Sequence, residues 1–161
     1  MSVVKFLTSW RAEITLKFAL FGLIVLWITS LTAPVVRASP EPSVSEVLMG
    51  QDILLMGPFG ILDGEYGWFA NLTFWLLLLT SIYSAQVERT AVLSIFHLLF
   101  VASALGWNSW PADEGGARYY IINAHFWGYY LWFACAFAMP LLSVAHAYSK
   151  RDSAMTNDEA Q

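Results

Sequence analysis

Four stretches of this chain carry almost no ionisable side chain. The first, Phe18 to Val36, reads FALFGLIVLWITSLTAPVV and is apolar throughout. The second runs from Tyr66 to Val87 and centres on FWLLLLTSIY. The third, Thr90 to Pro111, is interrupted only by His97, and the fourth, Tyr119 to Ser149, contains His125 and His146. About 20 helical residues cross the hydrocarbon core of a bilayer, so each run is long enough to span. Unpaired backbone amides are costly in lipid, so each span is expected to be helical. The run LLLL at 76–79 lacks the alternation of a membrane β-barrel strand. The pattern predicts an all-α polytopic membrane protein, with four transmembrane helices in an antiparallel bundle. The expected spans are 14–36, 67–87, 90–108 and 119–147, in a single domain over 1–149.

The links differ in kind. Residues 37–65 read as a long loop, because Pro40, Pro42, Pro58 and the glycines at 50, 57, 60 and 64 break long helices. Within it, Ser45 to Leu55 has a plausible N-cap and apolar positions at Val47, Leu48, Leu54 and Leu55, which predicts a short helix on the membrane surface. Residues 86–89 predict a tight turn and 107–118 a second outer loop. Residues 150–161 predict a polar, disordered cytoplasmic tail.

Charge gives the orientation. Lys5, Arg11, Lys17, Arg89, Lys150 and Arg151 fall on one side of this layout, and only Arg37 and Arg118 on the other. The positive-inside rule then places both termini in the cytoplasm of a bacterial inner membrane. Glu41, Glu46, Asp52, Asp63, Glu65, Asp113 and Glu114 make the outer side acidic. Trp68, Trp107, Trp110, Tyr119 and Tyr120 cluster at the outer boundary, as an interfacial aromatic belt does. Residues 1–38 also resemble a secretory signal, with Val36-Arg37-Ala38 as the cleavage site. A long n-region and a long h-region favour retention; cleavage would leave three spans with the N-terminus outside.

Composition agrees with the pattern. The 161 residues are 58% hydrophobic and only 12% charged, which is too thin a polar coat for a soluble domain. A net charge of -4 argues against nucleic acid as a partner, and one cysteine excludes an intrachain disulfide. The lipid bilayer is the first partner.

Polar residues inside the spans are the first candidates for chemistry. His97 is the one ionisable group deep in a span, which makes it a functional candidate by default. Ser94 shares its helix face, and Thr73, Thr80 and Ser84 form a matching stripe on span two. The bland alternative is a neutral imidazole bonded to Ser84, Thr80 or a backbone carbonyl. On span four, His125, Gly128, Trp132, Cys135, Met139, Leu142 and His146 recur at helical spacing. That stripe reads as a packing face, since two soft ligands, Cys135 and Met139, do not make a metal site. The three histidines fall at different depths, so no pair is expected to ligate haem.

The outer face is the richest cluster. Asp63, Glu65, Trp68 and Asn71 lead into span two, Asn108, Trp110, Asp113 and Glu114 leave span three, and Asn123 and His125 open span four. Carboxylates, amides, indoles and one imidazole at similar depth can bind a cation, a lipid headgroup or a partner's polar segment. The bland alternative is capped turns with interfacial aromatics. No Walker loop, GxGxxG fingerprint, HExxH, CxxC or GxSxG is present, and no metal or cofactor is expected. The layout is similar to that of small bacterial inner-membrane proteins, including immunity proteins to pore-forming toxins; a shared layout transfers no site. The expected function is non-enzymatic: a binding, accessory or immunity-like protein that recognises a membrane or extracytoplasmic partner through its outer loops; a membrane protein partner or a homo-oligomer is expected. The alternatives are a small transporter or channel subunit using the polar stripes of spans two and three, and a subunit of a membrane enzyme or redox complex using Asp63, Glu65 and His125.

Overall fold

The structure, a computed structural model, describes residues 3–41, 44–84, 86–111 and 119–158. It is mostly helical. Helix α1 spans Val3–Leu31, α2 Gly50–Met56, α3 Phe69–Tyr83, α4 Val87–Ser103 and α5 Trp127–Asp158. A 3-10 helix, Gly57–Asp63, follows α2, and a shorter one, Ala104–Gly106, follows α4. Four strands complete the fold: β1 Pro34–Glu41, β2 Val44–Met49, β3 Ser109–Pro111 and β4 Tyr119–His125.

Three helices are long and apolar enough to cross a membrane, in the segments Ile14–Leu31, Val87–Gly106 and Trp127–Asp152. The apolar helix α3 has 15 residues, about 22 Å at 1.5 Å per residue. Helix α1 packs on α5, α5 on α3 and α4, and α3 on α4. The burial pattern is the reverse of a soluble helix. On α4 the inward positions are Thr90, Ser94, His97 and Val101, while Ile95, Phe96 and Leu99 are exposed. Small and hydroxyl side chains let helices approach closely where lipid, rather than water, is the surrounding solvent. The stripe from Gly128 through Cys135 and Met139 to His146 is the buried face of α5.

The sheet corrects the all-α expectation. Its order is β2-β1-β4-β3, with every neighbouring pair antiparallel. The expected surface helix over Ser45–Leu55 is a strand as far as Met49 and a helix only from Gly50. Asp52 draws that boundary, because its carboxylate accepts from the Met49 backbone N–H at 2.9 Å. Helix α5 begins at Trp127 rather than 119. Residues 119–125 are a strand with side chains alternating exposed and half-buried, and their Tyr-Tyr-Ile-Ile start suits a pleated surface. At the other end α5 continues through Lys150 to Asp158, where a disordered tail is expected from composition. Lys, Arg, Ala and Met there are good helix formers, and no Pro or Gly interrupts them.

Sheet and helices meet at Gly128. A Cβ there would stand 2.6 Å from the Pro34 carbonyl oxygen, so only glycine lets α5 start directly beneath β1. The Phe126 N–H donates to the Val35 carbonyl at 2.8 Å and fixes that crossing.

Candidate functional site

Where the helices meet the sheet they leave a cavity of about 80 Å³. Its wall is shared by the end of α1 (Ser30, Leu31), β1 (Val35), α2 (Ile53, Leu54), the start of α3 (Trp68, Asn71) and α5 (Tyr129, Trp132). Trp107, Glu65 and the glycines 50, 57, 60 and 67 close it.

Asn71 organises this wall. Its Oδ1 accepts from Trp27 Nε1 of α1 at 3.1 Å and from Trp132 Nε1 of α5 at 2.9 Å. Its Nδ2 donates to the Trp68 carbonyl at 3.2 Å. One amide one turn into α3 thus ties three helices together. Trp68 Nε1 donates to the Leu54 carbonyl at 2.8 Å and holds α2 against α3. Gly57 makes room for that indole: a Cβ on it would fall 1.8 Å from Trp68 Cδ1. Tyr129 donates from its hydroxyl to the Ala104 carbonyl at 3.1 Å, closing the end of α4. The indole and phenol donors of Trp68, Trp132 and Tyr129 are therefore all engaged by the protein itself. What they present to the cavity is ring carbon.

Of the residues expected at the outer face, Glu65, Trp68 and Asn71 line this cavity. Asn108 is exposed, and its carbonyl accepts from the Ile122 N–H at 2.9 Å. Asn123 is exposed on the sheet and donates from Nδ2 to Ser39 Oγ at 2.7 Å. Asp63 ends the first 3-10 helix, and Trp110 is the middle residue of β3, paired with Tyr120. Asp113 and Glu114 lie outside the described residues. His125 stacks on Tyr129 with ring centroids 4.1 Å apart. Its Nε2 is buried, with no hydrogen-bond partner among the described residues. That burial lowers its pKa below the usual histidine value. Tyr120 has its pKa raised by burial first, then by the charge of Glu46 and the 3.3 Å hydrogen bond it donates to that carboxylate.

The aromatic belt is corrected in part. Trp107 is buried and Trp68 half-buried in the cavity wall. Trp27, Trp132 and Tyr129 belong to the site but stand apart from it in sequence. Their signal was only that of indoles and a phenol in apolar helices.

His97 is fully buried between α3 and α5. Its Nε2 lies 2.8 Å from the Ala136 carbonyl oxygen, which can only accept. A proton therefore sits on Nε2, and Nδ1 lies 2.8 Å from the Thr73 hydroxyl, whose oxygen also stands 3.0 Å from the Phe69 carbonyl oxygen. The polar stripe expected around it does not converge. Thr80 bonds the Leu76 carbonyl, Ser94 bonds the Thr90 carbonyl, and Ser84 accepts from the Gln86 N–H. Only Thr73 of that stripe reaches the imidazole, with the Ala136 carbonyl opposite. Among the described residues no group of three or more His, Cys, Asp or Glu side chains can hold a metal ion.

Comparison with protein-family models, with curated proteins and with solved structures gives no match.

Proposed function

We propose that the chain is a bacterial inner-membrane binding or accessory protein, crossing the bilayer four times with both termini cytoplasmic. In this reading its sheet faces outward and docks a membrane-embedded or extracytoplasmic protein. The observation that carries the reading is the sheet itself. Two segments separated by α3 and α4 combine into one platform, and its outward positions mix exposed apolar and polar side chains. Ile121 is 61% exposed, with Val47 and Tyr119 also exposed and Arg37 and Asn123 among them. Apolar anchors with a polar surround are what a protein partner buries.

The short helix α3 can serve as the fourth span because protein closes both its ends. Trp68 is bonded to Leu54 at one end, and Lys150 Nζ donates to the Ser81 and Ile82 carbonyls, at 3.0 and 2.6 Å, at the other. At its start the Phe69, Ala70 and Asn71 N–H groups donate to the Tyr66, Gly67 and Trp68 carbonyls, so its terminal backbone groups are not left to lipid. Lys150 and Arg89 lie at the end of the helices away from the sheet, which supports the cytoplasmic assignment of that end. A transporter-subunit reading draws less support, since the hydroxyls of Thr80 and Ser94 are spent on their own helices and both His97 nitrogens are engaged. In the redox or enzyme-subunit reading, Glu65 lines the cavity while His125 stacks on Tyr129.

The test is a photocrosslinking amino acid at Val47 in native membranes. One discrete protein adduct is expected, lost on Ile121→Lys with the protein still membrane-inserted. No adduct, or an adduct that survives both Ile121→Lys and Tyr119→Lys, overturns the reading.

A further inference from the structure

Beneath the sheet lies a second surface with different chemistry. The cavity behind Asn71 is lined mostly by apolar and aromatic side chains, with Glu65 its one carboxylate, and its other polar groups are largely bonded: Asn71 to two indoles, Trp68 to Leu54, Tyr129 to Ala104, and Ser30 to the Trp27 carbonyl at 2.6 Å. A cavity whose wall is mostly ring and aliphatic carbon favours an apolar guest. At about 80 Å³ it is smaller than the ~150 Å³ space that admits a benzene ring, which leaves room for about three carbons. A free aromatic ligand does not fit, but the end of an unbranched chain does.

The approach to the cavity has the same character. Helix α2 and the 3-10 helix after it carry Leu55, Met56, Phe59 and Ile61 as exposed side chains, with Leu55 76% exposed. The segment from Gln51 to Ile61 shows one acid, Asp52, and that carboxylate is turned back onto the Met49 N–H. This apolar lip adjoins the ends of two membrane-length helices, α1 and α5, whose residues Leu31 and Trp132 form part of the cavity wall. In a bilayer the ends of such helices lie at the boundary between headgroups and acyl chains, where an apolar lip meets the chains.

We propose that this cavity is a binding site for the end of a phospholipid acyl chain, which enters over the α2 lip and packs among Ile53, Leu54, Trp68 and Trp132. The site is separate from the outward sheet face, and either can fail without the other. An acyl chain there fills a void that otherwise forfeits dispersion contacts for the surrounding rings. It also fastens the sheet-bearing end of the helices to the bilayer.

The experiment uses the full chain reconstituted in phosphatidylcholine vesicles doped with a phospholipid carrying a diazirine at the acyl terminus. After illumination, adducts are located by peptide mass spectrometry. Label is expected on 53–56 and on Trp132, as well as on Leu99, an exposed position of α4. Ile53→Phe places a ring in the cavity and is expected to abolish the label on Trp132 while leaving that on Leu99 unchanged. Leu54→Phe does the same from the next position and serves if the first variant fails to reconstitute. Label on Leu99 with none on Trp132 in the unmodified protein overturns the proposal. So does Trp132 label that persists in both filled variants.

Discussion

The Thr73 hydroxyl of α3 stands 2.8 Å from Nδ1 of His97 on α4, and the imidazole continues through Nε2 to the Ala136 carbonyl of α5. One fully buried imidazole therefore bridges three helices. Thr73→Val removes a single interhelical bond and is expected to cost about 1 kcal/mol, the usual size of such bonds in membrane proteins. His97→Ala also leaves a cavity and takes the donor from the Ala136 carbonyl, which Pro140 four residues on cannot serve, so about 2–4 kcal/mol is expected. Reversible unfolding in mixed micelles measures both. A double variant that costs no more than His97→Ala alone is the expected signature of the direct bond.

Asn71 predicts a second coupling. Replacing it by Leu keeps the branched shape but strands the part-buried indole N–H groups of Trp27 and Trp132, at about 1 kcal/mol or more for each donor. Both indole N–H resonances are expected to move in the Asn71→Leu spectrum, since both bonds share one oxygen. A change confined to one indole contradicts the shared acceptor.

His125 gives a pH dependence with a definite sign. Burial holds its pKa in the folded protein below the ordinary 6.5. As pH falls through 6.5 the unfolded chain takes up a proton that the folded one refuses, so stability falls. Above that value the contribution is complete and flat. Thermal unfolding of wild type against His125→Gln, followed from pH 8 to pH 5, is expected to diverge only below about pH 6.5.

Gly57 reports on the cavity wall. Gly57→Ala drives a methyl group into the Trp68 indole, which must leave its bond to Leu54. Overpacking of this kind costs about 1–3 kcal/mol. Gly22, where a Cβ meets nothing within 4 Å, is the control, and Gly22→Ala is expected to be neutral or slightly stabilising.

Helices α1, α4 and α5 were legible in the sequence, because an unbroken apolar run of about 20 residues matches the thickness of a bilayer and exceeds what a soluble core helix needs. The sheet was not. Pro34 read as part of the first span and Pro40 as loop punctuation, although a proline can sit at a strand's start or at an irregular pairing, and β1 pairs with register shifts at both ends. In β4, Tyr119 to His125 continues the apolar run of α5, and short apolar segments do not distinguish helix from strand. The β1–β4 pairing, Val36 with His125, joins residues far apart in sequence and leaves no local trace. The candidate site was half legible for the same reason. Glu65, Trp68 and Asn71 were found because polar residues stand out at the mouth of a span. Trp27 and Trp132, whose bonds give Asn71 its role, look like any lipid-facing indole until the helices are packed.

The strand order β2-β1-β4-β3 also dictates a sequence of events during synthesis. The first hairpin emerges early, but the strand that covers the inner edge of β1 is translated only after α3 and α4. Until then β1 stands with an open edge of backbone donors and acceptors. The β4 segment, directly before α5, thus closes the sheet in time as well as in space, and a chain halted before residue 119 is expected to keep the β1 edge open to wrong partners.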